Sequence, residues 1–385
     1  MAQNRRKQRP DRPTPAPRAE PASTPTSAVV LTDRRTARLF ALAQFAAAAV
    51  IFRVAGFYRV MDADEGHFLS AIRCVFNGLR PQQDFFFQQT PLFPYPYALA
   101  MKLFGYGYDT CLWISVLCGA GLAVVTASYF ARRCGAARVG WIGWALVVTN
   151  APILFWTPTV KNHAMPLFFG ALALWAAAHR PRGGRDAFWW GALSGFAALW
   201  SAGTRLPAAP LAAAPFAWLL LRAVVPSRPP GAWHGVLGFA VGCMPPALLV
   251  LRSVFPDPWV FHFDILGFHA IRSGRAGTFG TWATISKQLA ALGSQVQFPA
   301  MLLLAVFSAI CMKRIARLAG RIGPDTTDES RGRPREEKPA PRPGIARLPA
   351  GYGIELGLAL AGIIAGLIAL LPAQTFHQYF MVPLL

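Results

Sequence analysis

Charged residues are scarce in this sequence. Only 14% of the 385 residues are Asp, Glu, Lys or Arg, whereas a soluble globular domain carries about a quarter. Apolar residues make up 54%, and the 12 Trp and 28 Phe are of the kind that collects at bilayer interfaces. This balance excludes an ordinary soluble domain and predicts a polytopic membrane protein.

The sequence also lacks paired cysteines and internal repeats. No CxxC pair or metal-ligand spacing is present, so we interpret most cysteines as small buried apolar residues. No repeat of fixed period is evident either, which weakens the case for a transporter built from inverted repeats. The six cysteines are Cys74, Cys111, Cys118, Cys134, Cys243 and Cys311.

A cleavable secretory signal is absent from the N-terminus. Residues 1–36 are rich in Pro, Ala and Arg and contain no short apolar stretch followed by a small-residue cleavage site. That composition cannot bury a core. We expect a disordered, basic cytoplasmic tail that leads into an uncleaved first membrane helix.

Negative charge is in short supply, and the net charge is +21. The basic residues lie in the tail and in short links between apolar runs, where the positive-inside rule places them. Attraction to anionic lipid headgroups explains this distribution. We therefore expect membrane lipids, and no nucleic acid, among the partners.

Nine apolar runs approach the ~20 residues that span a bilayer. Alternating them across the membrane puts every strongly basic link on the cytoplasmic side. The predicted fold is an all-α, polytopic transmembrane helical bundle over residues 37–385. The runs are 39–58, 111–131, 139–157, 164–179, 188–204, 206–222, 234–255, 295–312 and 351–373.

Three further segments complete the predicted organisation. The first outer loop is 59–110, and the cytoplasmic segment 313–348 is expected to be a disordered insert because it mixes Pro with both charges. A tenth apolar run begins near Phe380 and is not completed. We expect the C-terminus to be truncated relative to a full-length protein.

The densest acidic patch of the membrane region follows the first apolar run, at Asp62, Asp64 and Glu65. Carboxylates are costly beside a bilayer, so this patch needs a reason. Apolar residues then recur at three- and four-residue spacing, which predicts an amphipathic helix on the outer membrane face.

A purely structural interpretation of the acids is available. Asp62 and Glu65 have the spacing of a helix capping box, and acids in a first turn complement the helix dipole. This interpretation leaves Asp64 without a specific partner. Asp62 and Asp64 also offer the oxygen ligands that hard divalent cations favour, although nothing in the spacing requires a metal.

The next segment is a loop punctuated by proline and rich in aromatic and amide side chains, from Arg80 to Tyr95. A second short helix is predicted from about Tyr95 to Phe104, where Gly105 ends it. Two surface helices joined by such a loop follow directly after the first membrane helix.

These motifs resemble the first outer loop of GT-C glycosyltransferases. The similarity is to the branch of protein O-mannosyltransferases, lipid A aminoarabinose transferases and rhizobial-type core galacturonosyltransferases. The matching outer-loop motifs are Asp64-Glu65, Asn77-Gly78-Leu79-Arg80-Pro81, Asp84-Phe85-Phe86 and Thr90-Pro91-Leu92. Weaker matches are Gly195-Phe196, Thr204-Arg205-Leu206-Pro207, and Phe376-His377-Gln378-Tyr379-Phe380 followed by Pro383-Leu384.

The resemblance implies a transferase that moves a sugar from a polyprenyl-phosphate donor to an extracytoplasmic acceptor. The acceptor would be lipopolysaccharide, another envelope glycan or a protein. The position of Asp64 is that of the family's proposed catalytic base, with Asp62 beside it. The implied location is a bacterial plasma membrane, with the site facing the periplasm or exterior.

Other residues are expected to contact the substrate. Glu65 and Asp84 belong to the matching motifs, while Lys161, His163 and Arg205 fall at outer boundaries where cations are few. A charge-assisted contact to a lipid phosphate is one role for the cations. Extension of Lys161 and Arg205 to lipid headgroups is the alternative.

Two rival functions remain open at this stage. A transporter or lipid-linked-sugar flippase would need charged residues inside its spans, facing a cavity. The centres of the apolar runs are nearly free of charge, which favours an enzyme. An inactive, truncated GT-C-like protein is the other rival, because the last apolar run is unfinished.

The predicted orientation is testable by labelling. In a background without native cysteines, we expect Asp64→Cys to react with a membrane-impermeant maleimide in intact cells. The matched control is Arg182→Cys, in a basic link, which we expect to react only after permeabilisation. Labelling of residue 64 only after permeabilisation would place the acidic patch in the cytoplasm and exclude the predicted topology.

Overall fold

The protein is built from helices. A computed structural model describes residues 34–61, 63–134, 137–179, 181–224, 231–268 and 271, and no strand occurs in these ranges. The all-α prediction is thus confirmed for the described residues. The helices are α1 Arg34–Phe57, α2 Ala63–Phe76, α3 Pro94–Phe104, α4 Tyr108–Cys134, α5 Ala137–Thr149, α6 Ala151–Trp156, α7 Ala164–Ala177, α8 Gly184–Thr204, α9 Ala209–Val224, α10 Ala232–Val254 and α11 Pro258–His262, with a 3₁₀ turn at Leu206–Ala208 and a π-helical turn at Phe263–Gly267.

Four of these helical segments are long and apolar enough to cross a membrane, which supports the membrane prediction. They are Arg35–Phe57, Tyr108–Arg132, Leu206–Val224 and Ala232–Val254. Shorter apolar helices lie at Val139–Thr149 and Ala164–Ala177. The predicted tail, the insert 313–348 and the runs 295–312 and 351–373 lie outside the described residues.

One predicted span is broken. The apolar run 139–157 was expected to form a single helix, but α5 ends at Thr149 and α6 begins at Ala151. Pro152 has no N–H to donate back to the preceding turn, which favours a break in the helix here. The side chain of Asn150 caps the new helix by accepting from the Ile153 N–H at 3.1 Å.

Helix α8 packs against α7, α9 and α10 through small residues. Its contact with α10 is close enough to exclude side chains: a Cβ on Gly195 would lie 2.0 Å from the Phe239 carbonyl oxygen, and one on Gly242 would lie 1.9 Å from that of Ala192. Close backbone approach through glycine is a common mode of packing between membrane helices.

The α2 and α3 helices lie at one end of the bundle, where α4 and α7 begin and α8 ends. We call this the Asp64 end. The predicted second helix is confirmed, since α3 ends at Phe104 and Gly105 follows with a φ of 105°. The apolar face of α2 differs from expectation: Phe68, Ile72 and Val75 are buried against protein, in a cluster with the rings of α3.

Candidate functional site

A buried irregular segment, residues 157–163, forms the floor of the candidate site. Irregular backbone can be buried only if its polar groups find partners. The Val160 N–H donates to the Glu65 Oε1 at 2.9 Å, and the Thr159 carbonyl accepts from the Ser115 hydroxyl at 2.6 Å. The segment is therefore fixed by side chains of α2 and α4.

Glu65, in the first turn of α2, is fully buried against this floor. Its Oε2 accepts from the Arg59 Nη1 at 2.7 Å, and that arginine side chain is only 7% exposed. The Tyr108 hydroxyl lies 3.4 Å from its Oε1. Glu65 therefore joins the end of α1, the start of α4 and the 157–163 segment, a role well beyond the predicted helix cap.

Asp64, in contrast to Glu65, is an exposed residue. Its side chain is 70% exposed, and its Oδ2 lies 3.2 Å from the Nζ of Lys161, whose side chain is 2% exposed. The pair thus consists of an accessible carboxylate above a buried ammonium group. The structure gives Asp64 the specific partner that the capping interpretation did not supply.

Trp156, the last residue of α6, provides an aromatic surface for the cations. The Lys161 ammonium lies 4.9 Å from the centre of its rings, and the Arg59 guanidinium lies 5.8 Å away. The ring of His163 is 5.5 Å from the same indole. An indole face stabilises desolvated cations, so Trp156 helps to hold two of them near one another.

His163 and Arg205 form a second buried pair at the same end. The Arg205 Nη1 contacts the His163 Nδ1, and both residues are buried. Because a guanidinium only donates, Nδ1 accepts, and the imidazole proton lies on Nε2. Burial lowers the pKa of His163 well below its usual value, with the neighbouring charge of Arg205 acting in the same direction, so the ring is neutral.

The burial of Lys161 and Arg205 bears on the alternative in which they extend to lipid headgroups. Both side chains are buried within the protein, 2% and 3% exposed as residues. The alternative in which they extend to lipid headgroups does not describe this arrangement. Instead, both positive charges lie close enough to His163 to influence its pKa.

Asp84 is held within its own loop. It accepts from the backbone N–H of Arg80 at 2.8 Å and from the same residue's guanidinium nitrogens at 3.1 Å. These hydrogen bonds keep the pKa of Asp84 below its usual value. The predicted substrate contact of Asp84 remains a prediction, and its observed role is to close a turn.

Hydrogen bonds join the loop between α2 and α3 to the 157–163 segment and to the end of α8. The Asn162 Nδ2 donates to the Gln89 Oε1 at 2.8 Å, and the Leu92 N–H donates to the Gly203 carbonyl at 2.8 Å. Gln82 has a φ of 63°, which is costly for this residue type, and its side chain compensates by donating to the Phe87 and Gln89 carbonyls.

Further hydrogen bonds join the loop to the end of α10 and to the segment after it. The Phe87 N–H donates to the Oδ2 of Asp264 at 3.1 Å, and Asp264 is buried. The Gln83 side chain donates to the Ser253 carbonyl at 2.7 Å. Asp264 therefore orders the loop.

Sequence reasoning did not single out Arg59, Trp156 or His67. His67 lies one turn after Asp64 and stacks on Phe87 with ring centres 5.9 Å apart. Its Nε2 is buried without a hydrogen-bond partner in the described part of the chain. Burial lowers its pKa, while the charge of Asp64 opposes that shift. The i, i+3 spacing from Asp64 was the available signal for His67.

A metal at this site is not supported by the described residues. No group of three His, Cys, Asp or Glu side chains with suitable geometry occurs among them. The Asp64 carboxylate already faces an ammonium group, which would repel a divalent cation. Asp62, the other ligand considered, lies outside the described residues.

No family model, curated protein or solved structure matches this chain.

The buried Glu65–Arg59 pair is expected to be the main support of the site. We expect Glu65→Gln to lower the free energy of unfolding by about 3 kcal/mol, because it leaves the Arg59 charge buried without its carboxylate. The matched control is Asp109→Asn, which removes a carboxylate that is 69% exposed from its pair with Arg53 and should cost about 1 kcal/mol or less. Thermal unfolding in detergent measures both. Equal effects of the two substitutions would contradict the structural role of Glu65.

Proposed function

We propose that this chain is a membrane glycosyltransferase that moves a sugar from a polyprenyl-phosphate donor to an extracytoplasmic acceptor. The observation that carries the proposal is the Asp64–Lys161 pair. An exposed carboxylate can meet an acceptor hydroxyl, and a buried ammonium 3.2 Å away can meet a phosphate. The resemblance of the surrounding motifs to the GT-C outer loop supplies the substrate class.

Asp64 acts as the general base in this proposal. The acceptor oxygen bonds to the anomeric carbon, and its proton passes to the Asp64 carboxylate. The bond between the anomeric carbon and the phosphate oxygen breaks, and the polyprenyl phosphate leaves with that electron pair. The 70% exposure of Asp64 supports this role, because the base must be open to a second substrate.

The cations would stabilise the departing phosphate. Among the described residues of the cluster, Arg59, Lys161 and Arg205 carry positive charge, while Asp64 and Glu65 carry negative charge. His163 contacts Arg205 as a neutral ring and adds no negative charge. Lys161 and Arg205 place positive charge in a buried setting, which favours an anionic ligand.

The base role predicts a specific loss on substitution. We expect Asp64→Asn to reduce sugar transfer by about 10²- to 10⁴-fold, because the amide keeps the shape and cannot accept the proton. The assay uses membranes containing the protein, a radiolabelled polyprenyl-phosphate sugar and a fractionated cell envelope. The fraction that gains label also identifies the acceptor class.

Asp109→Asn is the matched control for this experiment. Asp109 is 69% exposed, lies in the first turn of α4 and pairs with Arg53 at 2.8 Å, so it shares the exposure and pairing of Asp64. We expect its substitution to leave transfer unchanged. Wild-type transfer by Asp64→Asn would exclude the base role.

The phosphate role predicts a different kinetic change. We expect Lys161→Ala to raise the KM for the donor by about 10- to 100-fold, since a charge-assisted hydrogen bond contributes roughly 1.5–3 kcal/mol. Lys102→Ala is the control, because Lys102 is an exposed lysine of α3 at the same end of the bundle. The KM is measured in the same transfer assay. An unchanged donor KM in folded Lys161→Ala protein would remove Lys161 from the donor site.

A further inference from the structure

A second cluster of basic and aromatic residues lies at the end of the bundle opposite Asp64. Helices α4, α7 and α9 begin near the Asp64 end and finish here, while α8 and α10 begin here. The cluster consists of Arg132 on α4, Trp175 on α7, His179 after α7, Trp190 on α8, and Trp218 and Arg222 on α9. None of these residues belongs to the proposed transfer site.

His179 organises this cluster. Its ring stacks on the indole of Trp190, with centres 3.9 Å apart and planes inclined by 23°. The Arg132 Nη1 lies 3.2 Å from its Nδ1, and the Arg222 Nη1 donates to its backbone carbonyl at 3.2 Å. The residue thus brings two arginines from different helices to one point.

Aromatic rings position the same two guanidinium groups. Arg132 lies 4.8 Å from the ring centre of Trp175, and Arg222 lies 5.9 Å from that of Trp218. The indole nitrogens of Trp175 and Trp218 are buried and have no hydrogen-bond partner in the described part of the chain. A buried N–H group is normally hydrogen-bonded, so these two indole donors favour an acceptor at this place.

The charges around the cluster are mostly positive. Arg182 adds a third cation, and the nearby carboxylate of Asp186 accepts from the Arg182 backbone N–H at 2.9 Å. Arg132 contacts no carboxylate among the described residues: its partners there are the His179 ring and Trp175. A small crevice next to His179 has an apolar floor, formed by residues including Ala176, Leu219 and Gly235.

We propose that this cluster binds the phosphate of an anionic phospholipid from the adjoining leaflet. Guanidinium groups suit phosphate oxygens because they present paired N–H donors in one plane. The cluster lies where membrane-length helices end, which is the depth of the headgroups, and tryptophan is characteristic of that depth. Basic pockets between membrane helices are known to take anionic headgroups. The proposal is independent of the transfer reaction.

The test measures lipid binding to purified protein in detergent by native mass spectrometry and by thermal shift. The probes are phosphatidylglycerol, phosphatidylcholine and inorganic phosphate. We expect the wild-type protein to bind phosphatidylglycerol in preference to phosphatidylcholine. The double substitution Arg132→Gln/Arg222→Gln should weaken phosphatidylglycerol binding by about tenfold or more.

The matched control is Arg53→Gln. Arg53 also lies against aromatic rings, 4.6 Å from Phe57 and 5.6 Å from Trp113, but at the Asp64 end. We expect this variant to keep wild-type lipid binding. If the double variant does not fold, Arg132→Lys/Arg222→Lys retains both charges and should lose part of the affinity through loss of the planar donor pairs.

Three results would overturn the proposal. Equal binding of phosphatidylglycerol and phosphatidylcholine by the wild-type protein would show that the protein does not distinguish headgroups by their net charge. Undiminished phosphatidylglycerol binding in the folded double variant would place the lipid elsewhere. Saturation of the same arginines by inorganic phosphate at equal concentration would identify a site for a free anion instead of a lipid.

Discussion

The geometry of the candidate site depends on burying one carboxylate. Removing an ion from water costs several kcal/mol, and the Glu65 position is tolerable only while its partners are in place. Those partners come from three separate parts of the chain: Arg59 after α1, Tyr108 at the start of α4 and the Val160 N–H. Burial of the Glu65 carboxylate therefore fixes the relative positions of these three segments. The neighbouring Asp64 is held in an outward position as a result.

The break between α5 and α6 also contributes to the geometry of the candidate site. An uninterrupted helix would carry the chain straight past the site, whereas the turn at Asn150 and Pro152 lets α6 end in Trp156 beside the cations. An aromatic face lowers the cost of burying the Arg59 and Lys161 cations without adding negative charge.

Local features of this structure could be predicted from sequence, and long-range ones could not. Apolar spacing predicted α2, and the glycine at 105 predicted the end of α3, because both signals act within a few residues. The acidic patch and the family resemblance point to Asp64, while Lys161, His163 and Arg205 are candidates from their place at the outer ends of apolar runs. Their pairing was not predictable, since Asp64 and Lys161 are 97 residues apart and nothing local links them. The apolar face of α2 was assigned to lipid because a periodic pattern does not distinguish lipid from protein as its neighbour.

The hydrogen bonds that join the α2–α3 loop to the end of α10 and to the segment after it have a consequence for how the protein is made. Gln83 and Phe87 are synthesised 170 and 177 residues before Ser253 and Asp264, which hold them. At the usual rates of translation that interval is roughly 10–30 s. During this time the ribosome has released the loop, but its anchors do not yet exist. Completion of the Asp64 end is therefore a late step of biogenesis, and it follows the synthesis of α10 and of the segment after it.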